Sequence, residues 1–331
     1  RLYTNAYSVS TSTYESLIPA YSENSDMRTL NYEKNSIDEK DCRFITEALR
    51  QGRNIYFYTC GTKYIESEKI KVQYVHQTAA EKIWSFIVDA EGEENGLFYI
   101  HVLHESHFSF PNPDTKEELV YDGTGIMQDY LEKKGGKIRA DYIRQHTDAV
   151  KYLDRIVTPF LERLPCRLVL FADHGNLLVP YGTPLEAFQG RNMCCAEDMI
   201  TIPLAVKSPE MTGGGVESND NIISLMSINE IICSLLRKER FVEPRNAFIK
   251  VQRSVAYNPE GRYLFTKMGR EQDLEAFEAF VFPDGHKLIV YGNGYVTLWN
   301  RCDEQVADAG AQEALLDRIK DYITVTDRIG L

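Results

Sequence analysis

Two apolar runs set the strongest limit on what this chain can fold into. They are Leu97-Phe98-Tyr99-Ile100-His101-Val102-Leu103 and Leu168-Val169-Leu170-Phe171. A strand with one wet face alternates apolar and polar residues. A strand that does not alternate must be covered on both faces, as in a parallel sheet lying between helices. Helical patterns surround both runs. Ala79 to Val88 reads as a helix. Ile138 to Leu164 reads as a long amphipathic one, with Val150, Leu153, Val157, Phe160, Leu161 and Leu164 mostly three or four apart. Pro159 is placed to kink that helix and Pro165 to stop it. Phe44–Leu49 and Ile222–Leu236 read as further helices. Asn54–Thr59, Lys71–Val75 and Ile200–Val206 read as further strands. This alternation predicts an α/β fold with a mostly parallel, sandwiched sheet.

From about residue 249 the pattern changes. Strand-like pieces at 277–282, 287–291 and 295–299 are joined by Pro283-Asp284-Gly285 and Gly292-Asn293-Gly294. These are hairpin signals. A helix from Ala311 to Ile323 follows. The expected division is an α/β domain over 1–248 and a small antiparallel β subdomain over 249–331.

Composition narrows the function. At 331 residues the chain can bury a large core. Its net charge of -12 argues against a nucleic-acid partner. No apolar stretch is long enough to span a membrane, and no secretory signal is visible. The first residue is Arg1, so a membrane anchor outside the given sequence is compatible with the reading. The seven cysteines include no CxxC pair, which argues against a structural zinc site.

The second apolar run ends in Ala172-Asp173-His174-Gly175. In open α/β sheets ligand chemistry gathers at the carboxyl ends of strands. An adjacent carboxylate and imidazole there can supply one oxygen and one nitrogen to a divalent metal. Two other clusters lie at the chain start or a strand end. One is the hydroxyl run Ser8-Val9-Ser10-Thr11-Ser12-Thr13, and the other is the pair His104 and His107. A Ser or Thr hydroxyl is a weak nucleophile that a metal can activate. The same metal would neutralise charge on a transferring phosphoryl or sulfuryl group. His107 would contact substrate oxygens or protonate a leaving group. Each cluster alone has an ordinary explanation: a turn cap, a helix cap, a pair of polar strand-end residues.

Taken together, these segments resemble the sulfatase/alkaline phosphatase superfamily, closest to its lipoteichoic acid synthase and phosphoethanolamine transferase branch. Phe171-Ala172-Asp173-His174-Gly175 resembles the strand-end metal motif. Ser106-His107-Phe108-Ser109-Phe110 resembles a substrate-facing histidine stretch, with Ser109 where Pro is usual. The helix over 142–164, with Tyr142, Asp148 and Asp154, resembles the one before the metal motif, and Ile200–Leu204 the strand after it. Ser224–Ile228 resembles a segment that usually carries Asp where Ser227 stands. Gly285–Ile289 with Tyr295–Trp299 resembles the C-terminal hairpin of sulfatases.

The resemblance implies an alkaline-phosphatase-like three-layer sandwich and one divalent metal, Zn or Mn, held by Asp173, His174 and Thr11. Thr11 would be the nucleophile, with Ser10 the alternative register. His107 and His104 would meet the substrate. The implied reaction is transfer or hydrolysis of a phosphoglycerol- or phosphoethanolamine-type headgroup through a phospho-threonine, with water or a glycan hydroxyl as acceptor. The implied location is the extracytoplasmic face of a cell envelope, with a phospholipid headgroup or glycan as partner.

Three departures qualify it. There is no Cys-x-Pro-Ser-Arg, so the formylglycine route of sulfatases is not expected. The family's first strand, with its acidic metal ligand, has no counterpart before Thr11. No histidine stands between 175 and 285, so a two-metal site is not expected. The alternatives are a non-catalytic sulfatase-like binding protein and a hydrolase of small phosphate or sulfate esters.

Overall fold

In the computed structural model the described residues are 1–26, 30, 34, 36–59, 64–74, 78–103, 105–106, 110–116, 136–176, 195–209, 215–253 and 276–325. They belong to two compact units. One comprises Arg1–Lys34, Arg167–Val179 and Gly190–Leu331; the other comprises Asn35–Cys166 and Pro180–Gln189.

The second unit carries the parallel sheet expected from the first apolar run. Asn54–Thr59 lies between Ile70–Tyr74 and Gly96–Ile100, parallel to both. The five positions from Ile55 to Thr59 are all buried. The connection between the outer strands is the helix Ala79–Ala90. It begins where Thr78 accepts from the Glu81 amide while the Glu81 carboxylate accepts from the Thr78 amide, a reciprocal capping box. Replacing Thr78 with Ala removes both the side-chain acceptor and its partner's geometry. A loss of about 1 kcal/mol is expected in denaturant melts. The helix packs Phe86 edge-on against Phe98, which stacks on Tyr56 at 4.7 Å. Leu164, at the end of the long helix, joins this cluster.

That long helix runs over Gly136–Arg163, close to the expected span. Its His146 meets Phe110 edge-to-face at 5.0 Å, and burial holds the imidazole below its ordinary value of 6.5. The folded state therefore favours the neutral ring, and unfolding takes up a proton below about pH 6.5. Stability from this contact is present above that pH and lost as the pH falls. A His146→Phe variant is expected to melt with a shallower acid dependence than the parent.

The first unit contains the other sheets. Leu2–Tyr3 pairs in parallel with Ser218–Asn219 and antiparallel with Leu204–Lys207, which pairs antiparallel with Leu168–Phe171. Ala6–Tyr7 pairs in parallel with Ile223–Ser224. The tail is an antiparallel meander of Ile249–Arg253, Phe277–Val281, Lys287–Tyr291 and Val296–Trp299. Its hairpins turn at Gly285 and Gly294, whose φ angles of 88° and 83° suit glycine. Phe280, Phe282, Leu288, Val290 and Leu298 form its core with Leu315 and Ile319 from the helix Ala309–Ile319.

The structure corrects three expectations. The segment read as a helix over Ile222–Leu236 opens with the strand Ile223–Ser224 and a short 3-10 turn at Leu225–Ser227, and the α-helix spans Ile228–Arg237. Leu168–Phe171 is not a fully covered parallel strand. Among the described residues it is the marginal strand of its sheet, antiparallel to its neighbour, with Leu170 36% exposed. Apolar character reports burial but carries no information on a neighbour's direction. The segment read as a strand over Ile200–Val206 is instead a helical turn at Glu197–Ile200 and a strand over Leu204–Lys207. Pro203 has no N–H to give a ladder, so regular pairing begins after it.

Candidate active site

The hydroxyl run leaves the strand Ala6–Tyr7 and enters the helix Thr13–Ser22. Ser12-Thr13-Tyr14-Glu15 has the spacing of a capping box, yet Ser12 makes no side-chain cap. Glu15 points elsewhere: its buried carboxylate accepts from the Ser10 hydroxyl at 3.1 Å. The first turn thus lacks the side-chain acceptor that the sequence offers. A helix start of this kind favours an anion through its N–H groups and its dipole.

Beneath the run lies a small buried hydroxyl network. Ser8 Oγ lies 2.9 Å from Ser16 Oγ, and Ser16 Oγ donates to the Ser10 carbonyl at 3.0 Å. The single Ser8 hydroxyl proton is within reach of two carbonyls, that of Ser10 at 2.6 Å and that of Asp173. Ser8 therefore links the run to the loop after Phe171.

That loop is closely fitted. The Gly175 amide donates to the Met199 carbonyl at 2.8 Å, and a Cβ built on Gly175 would lie 1.9 Å from the Asp198 carbonyl oxygen. Only glycine fits there. His174 Nδ1 lies 2.8 Å from the Gly175 carbonyl, which can only accept, so Nδ1 carries the proton. In the neutral ring Nε2 then carries the lone pair. It lies 3.5 Å from Asp173 Oδ2 and 3.2 Å from Thr13 Oγ1. Both Asp173 and His174 side chains are about one-fifth exposed, at 23% and 19%.

The sequence candidates are thus partly brought together. Asp173, His174 and the hydroxyl run converge. The hydroxyl within reach of His174 is that of Thr13, which the sequence reading did not single out. Its signal was the Ser12–Glu15 spacing, which places Thr13 in a helix's first turn. Thr11 and Ser10 are both fully buried in the same run. His104 and His107 lie outside the described residues. Among the described residues, no group of three or more His, Cys, Asp or Glu is placed to hold a metal ion. Asp173 and His174 fit as two ligands, because a carboxylate oxygen and an imidazole lone pair face one another across a gap.

A metal at Nε2 would compete with the Thr13 hydrogen bond for one lone pair. If Thr13 only satisfies the imidazole, Thr13→Val should leave Mn2+ affinity unchanged or raise it. A drop would make Thr13 a co-ligand. Calorimetric titration reads the sign.

No family model matches the chain, and no curated protein matches it. Solved structures do. A 2-O GAG sulfatase superposes with a TM-score of 0.65 at 11% identity, covering 100% of this chain and 86% of its own. A protein solved with its substrate D-glucosamine-2-N,6-O-disulfate gives 0.63 at 11%, covering 98% and 92%. The phosphonate monoester hydrolase of Agrobacterium radiobacter gives 0.61 at 10%, covering 99% and 88%. No described helix is long and apolar enough to cross a membrane. These superpositions lead to one conclusion: the chain shares the fold of the sulfatase and phosphonate monoester hydrolase structures it matches.

Proposed function

We propose that the chain is a sulfatase-like ester hydrolase or transferase that depends on one divalent metal, Zn or Mn. The observation that carries this is the meeting of the Asp173 carboxylate and the His174 Nε2 lone pair, 3.5 Å apart, with the start of the helix Thr13–Ser22. Asp173 and His174 would hold the metal, which would supply charge neutralisation at a phosphoryl or sulfuryl group. The uncapped helix start would favour the same anionic group.

Within this reading Thr11 is the nucleophile. Ser10, whose hydroxyl donates to Glu15, is the alternative. Thr13 orients His174. Attack by the Thr11 oxygen on phosphorus, with loss of its proton to solvent, would form the Thr11 O–P bond and break the P–O bond to the alcohol on the far side of the headgroup; that alcohol would leave with a proton, for which His107 is the sequence candidate, and the headgroup would stay on the phosphorus. A water or glycan hydroxyl then takes the phosphoryl group and frees Thr11. A phosphodiester headgroup of phosphoglycerol or phosphoethanolamine type, on the outer side of a cell envelope, is the substrate we favour.

Chromogenic phosphodiester, phosphomonoester and sulfate-ester substrates, each with Mn2+ or Zn2+, test the class. Diester turnover that Thr11→Ala abolishes, together with a phosphorylated Thr11 peptide after brief reaction, supports the reading. Full activity in Thr11→Ala removes Thr11 from the role. A second reading, a sulfatase-like protein that binds without catalysis, is favoured by the absence of a third acidic, His or Cys ligand among the described residues. Failure of the protein to bind Zn2+ or Mn2+ at any concentration would favour that alternative.

A further inference from the structure

Lys287, on the strand Lys287–Tyr291, is one of two lysines among the described residues that are only 1% exposed. Its ammonium donates to Asp303 Oδ1 at 2.8 Å and lies 3.7 Å from Glu197 Oε2. Burial by itself would lower its pKa. Cys195, Asp303 and Glu197 outweigh that and hold it above its ordinary value, so the group stays charged. A buried ionic cluster is weak evidence for stability, since apolar residues often serve as well. What it fastens is more informative.

Glu197 uses its other oxygen to accept from the Tyr7 hydroxyl at 3.0 Å and from Thr201 Oγ1 at 3.1 Å. Its amide donates to Asp303 Oδ2 at 2.8 Å. Lys287 and Asp303 therefore grip the turn Glu197–Ile200 from both the side chain and the main chain. That turn touches both halves of the candidate site. Met199 O accepts from the Gly175 amide at 2.8 Å, and Ile200 O accepts from the Ser8 amide at 2.7 Å. The tail sheet also reaches the run directly: the Gln252 amide donates to Val9 O at 2.8 Å.

We propose that Lys287 is a positioning residue. Acting through Glu197, it sets the spacing between the hydroxyl run and the Asp173–His174 loop. Its importance for chemistry rests on the function proposed above; the positioning itself does not. The tail sheet is then part of the site's frame.

Hydrogen–deuterium exchange on the metal-free protein tests this, with Mn2+ affinity as a second readout. Lys287→Met and Glu197→Gln should each speed exchange at the Ser8 and Gly175 amides at least about tenfold, leaving the Asn54–Thr59 strand unchanged. Mn2+ binding should weaken about 10- to 100-fold, as when groups behind metal ligands are lost. Lys287→Arg should restore much of both. If Lys287→Met does not fold, Glu197→Gln decides alone, since it keeps the side chain's shape. Unchanged exchange at Ser8 and Gly175 in a folded variant overturns the proposal. So does acceleration spread evenly over the chain, or loss of the fold in both variants. A parent protein that binds no Mn2+ sinks the metal reading and leaves the exchange result to judge Lys287.

Discussion

Asp173→Ala is expected to abolish measurable Mn2+ or Zn2+ binding and to cut ester turnover by about 100- to 1,000-fold, the range seen when one group stabilising transition-state charge is removed. The argument is geometric. Asp173 Oδ2 and His174 Nε2 face one another at 3.5 Å, and among the described residues no other acidic, His or Cys group joins them. Losing one of two ligands leaves an isolated imidazole. The fold should survive, because the Asp173 carbonyl, which accepts from Ser8 Oγ, ties the loop to the hydroxyl run. That main-chain bond remains in the variant. Asp173→Asn keeps an oxygen and should retain more binding than Asp173→Ala. Calorimetry with each metal and a thermal melt on the same samples are the measurements. Unaltered metal affinity with an intact fold would place the metal elsewhere.

Gly175→Ala should be strongly damaging. The new methyl would lie 1.9 Å from the Asp198 carbonyl oxygen, a main-chain atom that cannot rotate away. Relief requires moving the turn Glu197–Ile200 or the loop. Either strains the Gly175 amide bond to Met199 O and the Ser8 amide bond to Ile200 O. Overpacking of this kind costs about 1–3 kcal/mol and occasionally more. In a chain of this size each kcal/mol lowers the melting temperature by about 2–4 °C. A fall of several degrees is expected, with Mn2+ affinity falling too because Asp173 and His174 ride on the displaced loop. A variant that melts like the parent would mean that the loop does not pack against the turn as described.

Much of the architecture was legible in the chain. Asn54–Thr59 and Ala79–Val88 lie where the sequence pattern predicted a strand and a helix, and the hairpins turn at the predicted glycines. The Asp173-His174 pair was legible for the same reason: a strand end is a fixed place for side chains to leave a sheet. The direction of the strand Leu168–Phe171 was not legible, because the same apolar residues suit a parallel or an antiparallel neighbour. Nor was the choice among hydroxyls. Ser10, Thr11 and Thr13 have similar chemistry, and only the diversion of Glu15 to Ser10 and the approach of Thr13 to His174 tell them apart.

By itself the sequence determined most of the local elements, the α/β class and the antiparallel tail. These follow from periodicity and turn chemistry, which act within a few residues. The tertiary structure alone decided which donors meet. It brought Ser8 to Asp173, Thr13 to His174 and Lys287 to Glu197, contacts between segments far apart in the chain. Such contacts depend on how whole sheets stack and on where a glycine lets two main chains touch. No short stretch of residues encodes them.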